Sequence, residues 1–264
     1  MSPASNRTIQ AGSDVLPPPR QRAVAIFEHI AERHGHPLVP GRVRVLDFGA
    51  GAGRHVAEFR HAGYDAWGVD QSFSSHAEGS ANEEFLVHVS PPEYRLPFPD
   101  RHFDLVYSTS VMEHVLNPGQ ALEEIARVLR SDGISIHVFP SRWRPIEPHM
   151  FVPLGGRFQS LMIMRLWARL GIRNDWQRGL PATEVALANV QFCKTGISYP
   201  TATEWRMRAG RLFASVDWAE RDFIAASTGV SRISGALAPV AAMPVVERLY
   251  RGLHTRVLVL RRPR

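Results

Sequence analysis

The stretch VLDFGAGAGRH, Val45 to His55, sets glycines at positions 49, 51 and 53 directly after an apolar run that Asp47 brings to its end. A buried strand that must turn sharply into a helix leaves the first helical N–H groups without partners. Those groups, with the helix dipole, attract a carboxylate or a phosphate. Glycine is required where a ligand approaches the backbone closely and where φ is positive. Gly49, Gly51 and Gly53 meet that demand, and Asp47 adds a carboxylate expected to face the same crevice.

The remaining patterning extends this start into a fold. QRAVAIFEHIAERHG sets Val24, Phe27 and Ala31 on one helical face, with Gly35 as its stop. VRVLDF and DAWGVD read as strands flanking a short helix at Arg54–His61 that Gly63 closes. Leu86–Val89 is a weak third strand and FDLVYS a stronger fourth. In NPGQALEEIARVLRSDG, Asn117 caps, Pro118 opens the first turn, Leu122, Ile125, Ala126 and Leu129 form the buried stripe, and Gly133 supplies a left-handed stop. ISIHVF is the fifth strand. Strands alternating with helices specify an α/β fold with a doubly wound, mainly parallel sheet. After Ser141 the rhythm changes. An apolar helix between Gly155 and Gly171, a polar aromatic stretch, a helix at Ala202–Ala209 and two late strands, LFASVDW and TRVLVLRR, make a helical C-terminal elaboration.

The domain division follows. Residues 1–20, ending in three prolines, read as a flexible arm, and 21–264 as one domain. Within it, 43–141 hold the cofactor, 142–250 form an acceptor and lid region, and 255–262 are the last strand. A chain of 264 residues with 44% hydrophobic content can build a substantial core. A single cysteine, Cys193, excludes an internal disulfide, and neither a signal-like nor an 18-residue apolar segment is present, so a cytoplasmic protein is expected. The net charge is +6, but Lys194 is the sole lysine among 31 basic residues, and the arginines are dispersed rather than striped. That pattern fits a compositional bias better than a nucleic-acid track.

Nicotinamide and flavin sites also use glycine-rich turns, but their fingerprint is G-x-G-x-x-G. Here the third glycine falls one residue early, and Asp70, the acid ending the second strand, is placed to accept two ribose hydroxyls. VLDFGAGAGRH, GVDQS, LPFPDRHFDLVYSTSVMEHV and ALEEIARVLRSDG together resemble the class I S-adenosylmethionine-dependent methyltransferases, over roughly Val43 to Ser141. The resemblance implies S-adenosylmethionine as cofactor and a Rossmann-like methyltransferase fold. It implies that Asp47, Gly49 and Gly51 surround the methionine end, with Ala50 and Gly53 also binding the cofactor, that Asp70 holds the ribose and that Gln71 borders the adenine. Ser108, Thr109, Glu113 and His114 would line the floor near the transferred methyl group. Gln71 stands where an apolar residue is frequent, and no aspartate precedes Leu96-Pro97-Phe98, which passes the adenine contact to Ser90 or to backbone.

Three residues are candidates for the chemistry. His114 is either a proton acceptor for the acceptor group or a histidine packing the fourth strand against its helix. Glu113 has the same alternatives, with orientation of the cofactor amino group as a third. His149, after the fifth strand, either meets the acceptor or is a loop histidine. The other histidines, His88, His102 and His137 among them, lack ligand spacing, so no metal site is expected. Trp143, Trp167, Trp176, Trp205 and Trp218 all follow Ser141 and build either an apolar acceptor pocket or core. The favoured function is methylation of a small molecule. The alternatives are an RNA or protein methyltransferase, or a non-catalytic cofactor-binding partner subunit.

Overall fold

The computed structural model describes residues 22–73, 83–89 and 95–264. Seven strands form one sheet: β1 (Arg44–Phe48), β2 (Asp65–Asp70), β3 (Leu86–His88), β4 (Phe103–Thr109), β5 (Leu129–Pro140), β6 (Phe213–Trp218) and β7 (Thr255–Pro263), in the order β3-β2-β1-β4-β5-β7-β6. The first five pair in parallel, and β7 inserts antiparallel between β5 and β6. The order reverses between β1 and β4. Helices that follow these two strands leave on opposite faces, so a crevice opens at their C-terminal ends.

Side chains of a strand alternate between faces, and both faces here are covered. Leu46, Val106, Leu258 and Leu260 pack with α3 (Pro118–Val128) and α6 (Ala202–Ala209) through Leu122, Ile125 and Trp205. Val45, Leu105, Tyr107, Val257 and Val259 pack with α1 (Arg22–Arg33) and α2 (Arg54–His61) through Val24, Phe27, Val56 and Phe59. Gly35 and Gly63 terminate α1 and α2 at φ 78 and 90°. Asn117 Oδ1 accepts the Gln120 N–H to cap α3.

Gly133 does not end α3. Leu129 already adopts extended backbone at the helix C-terminus, and β5 begins there. The register between β4 and β5 shifts across this point, with Phe103 opposite Leu129 but Leu105 opposite Ile134. Gly133 sits inside that irregularity, where a Cβ would lie 3.0 Å from the Asp104 carbonyl oxygen.

The elaboration has its own small core. Met150, Val152, Met164, Ala186, Cys193 and Ile197 join the loop after β5 to α4 (Leu161–Arg169) and α5 (Ala182–Thr195). Helix α5 lies in the stretch that reads as polar and aromatic in sequence. Helix α4 is shorter than the Gly155–Gly171 span and buries only Met164 and Ala168, leaving Met162, Leu166 and Leu170 exposed. The tryptophans do not assemble into one pocket. Trp205 is fully buried in the main core, Trp167 edges the small core, and Trp143 and Trp176 are exposed. Helices α7 (Glu220–Ala226), α8 (Arg232–Leu237) and α9 (Pro244–Leu253) complete the chain. The buried Glu220 accepts from Val257 N and Arg251 Nε, which pins them to β7.

Trp205 packs against Phe139 with ring centroids 5.4 Å apart and bridges α6 to the sheet. Trp205→Ala should cost about 3–5 kcal/mol of stability through the cavity left behind. Urea denaturation followed by circular dichroism measures it, and an unchanged midpoint would show that α6 contributes nothing to the core.

Candidate functional site

The glycine turn forms as its sequence demands. Gly49, Gly51 and Gly53 adopt φ of 89, 54 and 71°, a region costly for other residues. Each has a different reason to lack a side chain. A Cβ on Gly49 would fall 2.3 Å from Val111 Cγ2, and one on Gly53 would fall 2.7 Å from Leu86 Cδ1. At Gly51 nothing lies within 4 Å, so its backbone borders open space.

That space is a cleft of about 370 Å³ over the ends of β1, β2 and β4. Phe48, Gly49, Gly51, Asp70, Gln71, Ser72, Val89, Leu96, Thr109 and His114 are among the residues lining it. Asp70 is the charged centre of the wall. Its Oδ2 accepts the Gly51 N–H at 2.7 Å and its Oδ1 accepts the Ser72 N–H at 3.1 Å. A carboxylate offers about four acceptor positions, so both oxygens retain a lone pair for a ligand.

Other expected residues sit elsewhere. Asp47 does not line the cleft. The pleat sends its side chain to the α1–α2 face, where Tyr107 is its register partner on β4, while Phe48 takes the cleft side. Burial pushes the Asp47 carboxyl up to about 7; the Tyr107 hydroxyl opposes the rise and the Asp70 charge adds to it. Ser108 is also turned away: fully buried, it bonds to His137 Nδ1 at 2.8 Å, and Ser135 Oγ meets the Nε2 of the same ring. Burial lowers the His137 pKa to about 3, which leaves that ring neutral. Ala50 contributes its N–H to the Val69 carbonyl. Ser90 lies outside the described residues.

The three chemical candidates come together. After β4 the chain turns at Ser110, whose φ of 56° is rare for a residue with a side chain, and presents Glu113 and His114. His114 Nε2 lies 3.0 Å from His149 Nε2, with the rings nearly perpendicular at 81°. His114 Nδ1 donates to the Gly196 carbonyl at 2.6 Å, and His149 Nδ1 donates to Glu147 Oε1 at 2.5 Å. The buried Glu147 also accepts from His149 N, Met150 N and the Tyr199 hydroxyl. Burial alone would raise the Glu147 carboxyl, but the bond from His149 and the others outweigh it and hold it below its usual range. Burial likewise disfavours the charged forms of both histidines. At His149 the bond to Glu147 prevails and raises the pKa, whereas at His114 burial prevails and lowers it. Glu113, nearly inaccessible, is pushed up to about 7 by burial.

Glu147, Gly196 and Tyr199 were not among the sequence candidates. Glu147 stands two residues before His149, so one turn can join them, and that spacing was available to find it. Gly196 and Tyr199 follow α5 and reach the site only through the tertiary fold.

Comparison with known proteins agrees with this geometry. Residues 46–137 match a family model described as a methyltransferase domain. An uncharacterized methyltransferase, YcgJ of Bacillus subtilis, is 29% identical over 175 residues, covering 63% of this chain and 65% of that protein. Demethylmenaquinone methyltransferase of Beutenbergia cavernae is 34% identical over 110 residues, 41% of this chain and 45% of that one. The matches thus span less than two thirds of these relatives. Among solved structures, phosphoethanolamine N-methyltransferase 2 of Haemonchus contortus, in complex with phosphomonomethylethanolamine and S-adenosylhomocysteine, shares the fold with a TM-score of 0.51. It is 12% identical, with 89% of this chain and 52% of that one covered. With its glycine turn, its strand-end acid and its β3-β2-β1-β4-β5-β7-β6 sheet, this chain is similar to the class I S-adenosylmethionine-dependent methyltransferases, and residues 46–137 match their methyltransferase domain.

Proposed function

We propose that this protein transfers a methyl group from S-adenosylmethionine to a small-molecule acceptor, the acceptor meeting the protein at His114, with His149 and the buried Glu113 as the other catalytic candidates behind it. The observation that carries the reading is the single cleft bounded by the Gly49–Gly51 turn, the Asp70 carboxylate and the His114 ring. Its residues fit the cofactor. Asp70 keeps free lone pairs for ribose hydroxyls, Gly51 allows close approach to its backbone, and Gln71, Ser72, Val89 and Leu96 supply a mixed wall suited to an adenine. Thr109 and His114 border the end toward β4, where the methionine portion belongs. When bound, the cofactor supplies an electrophilic methyl group on a sulfonium. The chain's own contribution is to orient the acceptor, exclude water and take up the proton that a hydroxyl or amine releases.

Three observations support a small molecule over a nucleic acid. The arginines are dispersed, the cluster sits beside a cleft of small-ligand size, and the relatives include a demethylmenaquinone methyltransferase. Among the described residues no helix is long and apolar enough to cross a membrane.

The cofactor assignment is tested by calorimetry. S-adenosylmethionine and S-adenosylhomocysteine should bind at micromolar levels and NAD should not; tighter binding of NAD would overturn the reading. Asp70→Ala removes charge-assisted bonds worth about 1.5–3 kcal/mol, so affinity for S-adenosylhomocysteine should fall roughly ten- to a hundredfold. An unchanged dissociation constant would show that Asp70 does not touch the ribose. Strongly salt-sensitive methylation of bulk RNA would replace the small-molecule acceptor with the nucleic-acid alternative.

Asp47 allows a test by stability. Its folded pKa of about 7 lies above the unfolded value of 3.8, so its contribution is intact below pH 3.8 and is lost as pH rises towards 7. Asp47→Asn removes that loss. Melting temperature should therefore rise by several degrees at pH 8 and by less at pH 5. Equal shifts at the two values would mean that Asp47 ionises normally.

A further inference from the structure

We propose that Glu113, His114 and His149 bind one divalent first-row transition-metal ion through a carboxylate oxygen and two imidazole Nε2 atoms. The sequence alone led to the expectation of no metal, because His88, His102 and His137 lack a ligand spacing. The tertiary structure brings the three ligand atoms within 4.8 Å of one another.

The hydrogen bonds fix the state of each group. His114 Nδ1 must donate to the Gly196 carbonyl, which can only accept, and His149 Nδ1 faces the Glu147 carboxylate. In the neutral rings each Nε2 is then a bare lone pair. The two Nε2 atoms lie 3.0 Å apart, close enough to share one proton or to ligate one cation together. Beside them, both oxygens of Glu113 are buried without a hydrogen-bond partner in a residue that is 1% exposed. An unpaired buried carboxylate is costly, and one cation answers all three groups together.

The distances suit a particular class of ion. Two nitrogens each about 2.1 Å from an ion and about 3.0 Å apart subtend roughly a right angle, the spacing of neighbouring octahedral positions. Two imidazoles and one carboxylate on a common face favour iron, cobalt, nickel or zinc over magnesium, which prefers oxygen throughout. A Glu113 oxygen lies within 4.8 Å of both nitrogens and would supply the third ligand. The outer contacts are those of a metal centre, since a ligating histidine characteristically donates its other N–H to a carboxylate or a backbone carbonyl. Glu147 and Gly196 do this here. Glu147 is itself held by His149 N, Met150 N and the Tyr199 hydroxyl, so it acts as a positioning residue for the His149 ring.

The ion's role toward the acceptor rests on the methyltransferase reading. His114 lines the cleft, so an ion held by these residues would stand beside it and could bind a hydroxyl, phenol or carboxylate oxygen of the acceptor.

The test uses the full chain, stripped with chelator and titrated with cobalt(II) chloride in the absence of S-adenosylmethionine, by calorimetry and visible absorption. One ion per chain should bind, with weak d–d bands in the visible. His149→Ala and Glu113→Gln should each weaken binding at least tenfold, and Glu147→Gln about ten- to a hundredfold. No saturable binding, or the same affinity in His149→Ala, would overturn the proposal and leave a shared proton between the two rings. Should a variant fail to fold, cobalt-induced paramagnetic shifts of the wild-type imidazole protons decide: their absence at His114 and His149 refutes the site. Binding of S-adenosylhomocysteine by metal-free protein reads the cofactor site separately, so failure of one assignment is distinguishable from failure of the other.

Discussion

Gly49 has no room for a side chain. A Cβ there would lie 2.3 Å from Val111 Cγ2, so the turn after β1 and the turn after β4 approach closely across the point where strand order reverses. Both halves of the site depend on it. The β1 turn aims the Gly51 N–H at Asp70, and the β4 turn carries Glu113 and His114. A Cβ at position 49 would force these turns apart and disturb both the cleft and the histidine pair, although neither contains the glycine's own side chain. This is why a sharply turning backbone governs the chemistry of residues more than 60 positions along.

The polar cluster is assembled differently, by hydrogen bonds that tie three segments together. Glu147 fixes the His149 ring from the loop after β5. The segment after α5 supplies Gly196 to His114, Ser198 N–H to the Glu113 carbonyl, and Tyr199 to Glu147. Helices α4 and α5 are packed on that same loop through Met150, Val152, Met164 and Ile197. The small core is therefore the scaffold of the cluster, even though α4 contributes no residue to the cleft wall among the described residues. Its outward leucines and methionines are surplus to this packing.

Two buried polar layers separate structure from chemistry inside the sheet. Ser108, His137 and Ser135 satisfy one another while burial keeps the imidazole neutral, which accounts for polar atoms in the sheet interior without a catalytic role. Asp47 is the opposite case, a buried carboxyl whose raised pKa is a cost to stability, placed on the α1–α2 face by the same alternation that brings Phe48 to the cleft.

Local signals determined what the sequence could determine. Glycine at positive φ, the Asn117 cap, period-two strands and apolar helical stripes each act over a few residues, so β1 to β5, α1 to α3 and the glycine turn with Asp70 were legible without a structure. Local reading also misled. Gly133 looks like a helix stop because the residues before it are helical, but β5 overrides it by pairing with β4. Helix α5 was missed because its buried residues, Val185, Ala186, Asn189 and Cys193, include a polar one and make sense only against α4 and the loop after β5. The side-chain directions of Asp47 and Ser108 follow from pleat and pairing, which no single strand reveals. Only the tertiary structure set His114 beside His149, because the contact joins segments 35 residues apart whose meeting depends on sheet order and on the small core, not on any spacing in the chain.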